Sequence, residues 1–138
     1  MSIGRKTLGN DSPELAVPLI FLSGSLRKFG ALQEAEARAR EALAIDTKHL
    51  GGDHPRVREA QGALGLALAK QRRWDEAEPL LVAHATALTS KTDVEGDLDL
   101  TVQQLVEMFK GQGRPEKAEE WRLKLRQVKR EATVKTDK

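Results

Sequence analysis

The sequence predicts an all-α fold, a right-handed α-solenoid of about three helix-turn-helix units and about six helices, and three observations carry that expectation. First, one segment recurs three times: Lys28 to Glu36, Lys70 to Glu78 and Gly111 to Glu119 align on Ala35, Ala77 and Ala118, which stand 42 and 41 residues apart. Second, a different segment recurs at the same offset, with Lys6, Leu8, Gly9, Asp11 and Pro13 returning as Lys48, Leu50, Gly51, Asp53 and Pro55. Two unrelated segments that share one period mark a tandem array, in which each unit covers the apolar face of its neighbour. Third, aromatic residues make up 4% of the chain and tyrosine is absent, which disfavours strands, while alanine, leucine, glutamate and arginine favour helix.

Each unit reads as two helices. The first apolar segments run Leu15 to Phe29, Val57 to Ala69 and Leu100 to Phe109. Tight turns follow at Gly30, Arg72-Arg73 and Gly113, and each second segment opens on the repeated alanine. Ala35, Ala39, Ala42 and Leu43 fall on one helical face, as do Ala77, Leu81 and Ala85. Pro13 and Pro55 suit a first helical turn, where the missing N–H costs nothing, and Gly51-Gly52 suits the stop before it. The expected organisation is an N-terminal segment 1–10, read as the remnant of a preceding unit; a repeat domain 11–130 with units of about 11–50, 53–92 and 97–130; and a basic flexible tail 131–138.

Leu64-Gly65, followed twelve residues later by Ala77, places small residues where two antiparallel helices must cross closely. On these residues the chain resembles the tetratricopeptide repeat family, from Lys6 to about Val128. The long period and the linker Leu50 to Pro55 look like kinesin-light-chain repeats, and Gln71 to Leu81 with Gly113 to Arg122 is similar to repeat regions behind some bacterial serine/threonine kinases. His84 and Leu125 stand where the second helix should be as small as Ala42, and Ser23 and Val106 stand where Gly65 does. The linker Thr92 to Leu100 has lost the Gly-Asp-x-Pro pattern, so the third unit is the one whose packing departs furthest from the resemblance.

The residue inventory excludes several chemistries. With no cysteine there is no disulfide and no thiol nucleophile, which fits a cytoplasmic location. No cofactor is implied. His49, His54 and His84 lack the spacing of a helical metal site, so no metal is expected. Asp93, Glu95, Asp97 and Asp99 alternate as in a calcium loop, but the loop's glycine is misplaced and Gln104 stands where its bidentate glutamate belongs. No nucleophile elbow or phosphate loop is present, so the chain is read as a non-enzyme. Leu15 to Leu22 is too short to span a membrane. Net charge is +2, yet Trp121 to Lys138 carries +5 of it against −3 elsewhere; the one aromatic in that stretch, Trp121, gives no stacking series, which makes nucleic acid an unfavoured alternative.

The expected function is protein–protein interaction: a peptide or partner helix held in a groove lined by the first helix of each unit. By register, that groove comprises Ile20, Gly24 and Arg27; Gly62, Leu66, Ala69 and Lys70; and Gln103, Glu107 and Lys110. Where the kinesin-light-chain groove carries asparagines this chain has Phe21, Ala63 and Gln104, so the resemblance implies no polar grip there. The first apolar segment is hydrophobic nearly all round, which points to a homodimer formed through Leu15, Leu19, Ile20 and Phe21. The alternative to a binding role is a structural spacer at the C-terminal end of a longer regulatory protein.

Overall fold

The computed structural model describes residues 12–52, 54–89 and 95–136, with side chains from 98 to 131 in the last stretch. Among these residues a 3-10 turn, Pro13–Leu15, leads into six α-helices and there is no strand. They are α1 (Ala16–Lys28), α2 (Leu32–Leu50), α3 (Pro55–Lys70), α4 (Trp74–Thr89), α5 (Glu95–Gly111) and α6 (Pro115–Thr136). Successive helices pack as pairs, α1 on α2, α3 on α4 and α5 on α6, and α2 and α4 carry each pair onto the next. Contacts between first helices, α1 with α3 and α3 with α5, exceed those between second helices, so the first helices form the inner side of the array. The all-α repeat architecture expected from the period is the one observed.

The local signals act as the residue types require. The Gly30 turn, the Arg72 turn and the Gly113 turn each pass through a left-handed residue, at φ 86°, 61° and 72°. Gly51, also left-handed at φ 84°, ends α2, and His54 caps α3 by accepting the Arg56 N–H at Nδ1 over 3.1 Å. The repeated alanines Ala35, Ala77 and Ala118 are all buried. Opposite them, a side chain on Gly65 would press on Leu80 and Leu81 at 3.0 to 3.2 Å, which is why a glycine stands there. Ser23, in the matching position of the first unit, makes the crossing polar instead: fully buried, its hydroxyl donates to the Ala35 carbonyl at 2.7 Å.

Three expectations are corrected. The third unit is well packed, with Leu98, Val102, Leu105, Met108, Phe109 and Trp121 all buried in one cluster that reaches back to Ala39. Its first helix starts at Glu95, slightly ahead of the unit boundary of about 97, because helical backbone extends beyond the apolar segment from Leu100 that faces the core. The stretch read as a flexible tail from 131 is helical to Thr136: α6 has no glycine or proline after Pro115 to stop it. The segment 1–10 and Asp93 lie outside the described residues, and Asp99 is paired with Lys129 at 2.9 Å.

Two ion-pair systems join the units. Glu36 in α2 is 2.6 Å from Arg73, and Glu78 in α4 is 2.8 Å from Arg114; these partners recur at the repeat period. Glu36 also accepts from Gln71 at 3.0 Å and from Arg40 at 2.9 Å. Burial pushes its carboxyl upward, but the Gln71 and Arg40 hydrogen bonds and the Arg73 and Arg40 charges outweigh it, and the pKa lies below the ordinary glutamate range. Separately, the fully buried Asp46 lies 3.2 Å from the Arg56 guanidinium, which also donates to the Pro13 carbonyl at 3.2 Å, tying α2, α3 and the first turn together.

Candidate functional site

Among the described residues, a cleft opens on the inner side at each junction of first helices. The first, about 340 Å³, lies between α1 and α3. Ile20, Gly24 and Arg27 come from α1, one turn apart, and Gly62, Ala63 and Leu66 come from α3. Val17 and Phe21 form its outer edge and are 39% and 73% exposed. Two charged groups border it: Glu59 and Arg27, whose pKa is lowered because burial removes solvent from the guanidinium. The second cleft, about 290 Å³, lies between the ends of α3 and α5, where Ala69, Lys70, Arg72, Trp74, Glu107 and Met108 meet.

The groove read from the sequence is therefore divided. Ile20, Gly24, Arg27, Gly62 and Leu66 share the first cleft, and Ala69, Lys70 and Glu107 share the second. Gln103 and Lys110 are exposed on α5 and line neither. Depth also differs from the expectation, since Leu66 and Ala69 are each only 7% exposed and belong to the core as much as to the surface. Of the three positions without the asparagine pattern, Phe21 stands out from the surface, Ala63 is buried in the first cleft and Gln104 is buried in the second. Leu19, expected to lie on a self-association face, is instead 5% exposed and packed with Ala16, Ala42, Ile45 and Ala60; Leu15 packs against the same cluster. An all-round apolar helix thus uses two of its faces within the chain, leaving Val17 and Phe21 outside.

His84 departs from the small residue expected at the seam, and the structure supplies the reason it fits. A Cβ on Gly62 would lie 2.5 to 2.7 Å from the His84 ring. Gly62 thus gives the ring its space, and the imidazole reaches through to the first cleft. In the first unit the equivalent pair is Ile20 with Ala42: large and small have changed places while the period is kept. The same logic, missed in the sequence, operates at the second cleft, where Gly111 accommodates Trp74 at 2.5 Å from a notional Cβ. Glycine at an otherwise helical position, one period away from a larger residue, was the available signal for both.

Among the described residues no helix is long and apolar enough to cross a membrane, and no group of three histidine or acidic side chains is placed to hold a metal ion. The basic residues of α6 are largely engaged with their neighbours: Arg122 pairs with Glu119, Lys117 with Glu120, and Lys124 sits 4.3 Å above the Trp121 ring. Residues 22–88, which span most of the first unit and all of the second up to the end of α4, match the family model described as tetratricopeptide repeat. A search of curated proteins finds no match to the chain.

Proposed function

We propose that this helical-repeat chain is a protein-binding scaffold whose cleft between α1 and α3 receives an apolar side chain of a partner peptide or helix. Repeats of the tetratricopeptide type commonly mediate protein–protein interaction and form a non-catalytic scaffold. The observation that carries the reading is Phe21, a large apolar side chain 73% exposed on the rim of a cleft walled by Ile20, Ala63 and Leu66. Water contact on that rim is unfavourable, and a partner that covers it recovers the hydrophobic free energy.

The test is a peptide-display selection on the chain, followed by affinity measurements on Phe21→Glu. Leu66→Glu, attractive from register alone, is the poorer choice because it would put a charge in a nearly buried place. Phe21→Glu should leave melting within about 0.5 kcal/mol, as exposed substitutions do, and should weaken selected peptides by about tenfold or more. Unchanged affinity would reject the cleft as the site.

A second reading, homodimerisation through the N-terminal helix, is supported by the same exposed Phe21 together with Val17 and by Phe29 at 89% exposure. It draws on these residues and not on Leu15 and Leu19. Light scattering after size exclusion separates the two: a dimer that Phe21→Glu dissolves favours self-association, whereas a monomer at high concentration leaves the cleft to another partner.

A further inference from the structure

We propose that the outer face of α1, running through Glu14, Pro18, Ser25 and Phe29, docks an amphipathic helix of another protein, one that is apolar opposite Phe29 and basic opposite Glu14. Neither Glu14 nor Phe29 lines the cleft between α1 and α3, so the two readings can fail separately.

The repeat supplies its own template for this face. One period of 42 residues carries Glu14, Pro18, Ser25 and Phe29 onto Arg56, Ala60, Ala67 and Gln71. In α3 that face is covered by α2: Ala60 packs with Ala42 and Ile45, Arg56 lies 3.2 Å from Asp46, and Gln71 donates to Glu36 at 3.0 Å. The start of one helix meets the end of the other, so the two run antiparallel. A further 41 residues carry Ala60 and Ala67 onto Thr101 and Met108 of α5, each 1% exposed. On α1 the same positions are open, with Pro18 and Ser25 exposed and Phe29 89% exposed.

The polar positions decide which helix fits. Where α3 offers Arg56 to Asp46, and Gln71 with Arg73 to Glu36, the first unit offers Glu14, and Phe29 with Ala31. Glu14 accepts from the Ser12 hydroxyl, and among the described residues no cation pairs with it. A helix laid on α1 as α2 lies on α3 therefore needs lysine or arginine where α2 has Asp46. It needs an apolar residue where α2 has Glu36, because a carboxylate against the Phe29 ring would lose water and gain no partner. The chain's own helices do not meet that demand. Glu36, Glu78 and Glu119 recur at the second position, and α6 adds the exposed Arg122 and Arg126 along the seam. A second α1 laid antiparallel would set Glu14 against Phe29, again without a cation.

The experiment displays the α2 sequence, Leu32–Leu50, as a helix library with positions 36 and 46 randomised. It is selected on the full chain, on Glu14→Lys and on Phe29→Arg. Both replaced residues are exposed, so melting should change little. On the parent, position 36 should become leucine or another apolar residue and position 46 lysine or arginine. Glu14→Lys should return position 46 to aspartate or glutamate, and Phe29→Arg should return position 36 to glutamate. A synthetic peptide of the parent consensus should bind either variant about tenfold more weakly. No enrichment at the two positions, or one consensus on all three proteins, would overturn the proposal. So would a dimer that Phe29→Arg dissolves, which gives the face to a second copy, or amide shifts before Ser12 on Phe29→Arg in the free chain, which give it to that segment.

Discussion

At the scale of single residues, the molecule is a set of size exchanges held to one period. Ile20 with Ala42 and Gly62 with His84 occupy equivalent places, and each pair leaves room for one large side chain. Gly62→Ala should consequently destabilise by about 1 to 3 kcal/mol, more than the loss of a helical glycine could return, because the new methyl collides with a ring held inside. The Gly62→Ala, His84→Ala double variant should regain part of that loss, since the second change restores the small partner. Thermal melting of the three proteins gives the cycle; additive losses would mean the two residues are not packed on each other. Both members of the pair were visible in the sequence. Their complementarity was not, because Gly62 was assigned to the groove by register while His84 was assigned to the seam, and only the crossing of α3 with α4 brings them together.

At the scale of helices and turns, the pairing of Glu36 with Arg73 and of Glu78 with Arg114 fixes how one unit follows another. The Glu36 carboxyl has a lowered folded pKa, so its contribution to stability is fully present above the ordinary glutamate pKa and is lost as pH falls through the lowered value. Wild-type melting should therefore drop on the acid side, and Glu36→Gln should flatten that limb while lowering stability at pH 7 by about 0.5 to 1 kcal/mol, a modest amount because Arg73 is partly solvated. An acid limb of the same slope in both proteins would show that the junction does not depend on this carboxylate. Helix positions were legible from the alanine spacing and the proline and glycine signals. The junction charges were legible only as repeated letters, since the period aligns Glu36 with Glu78 and Arg73 with Arg114 but does not say that they meet.

At the scale of the whole molecule, the core is uneven. One cluster runs from Ala39 through α3, α4 and α5 to Trp121, whereas α1 rests on a small cluster of Ala16, Leu19, Ala42, Ile45 and Ala60. In a repeat array stability is close to a sum of local terms, so the thinly packed end opens first. Amide exchange at the helices' central residues should be faster in α1 and in the largely exposed α6 than in α3, which has buried residues around almost its whole circumference. Uniform protection across the helices would instead indicate a single cooperative block. The far end explains itself by the same comparison: Ala39 and Leu81 correspond to Arg122, and Leu43 and Ala85 to Arg126, so α6 shows charge where inner units show apolar contact. That polar end was readable in the sequence, and the all-round apolar α1 was readable too. What the sequence could not divide was which of its faces turned inward, because Leu15, Leu19, Ile20 and Phe21 look alike until α2 and α3 are in place.

The proposed role rests on the face of α1 that remains outside. Nitrogen–proton correlation spectra of the full chain, titrated with a display-selected peptide, test it most directly. If α1 and α3 hold the partner between them, the largest shifts fall on Val17, Phe21, Gly24, Gly62 and Ala63, and the exposed side of α2 and α4 stays still. Shifts confined to α2, α4 or α6, with the α1 and α3 signals unmoved at saturation, would contradict it.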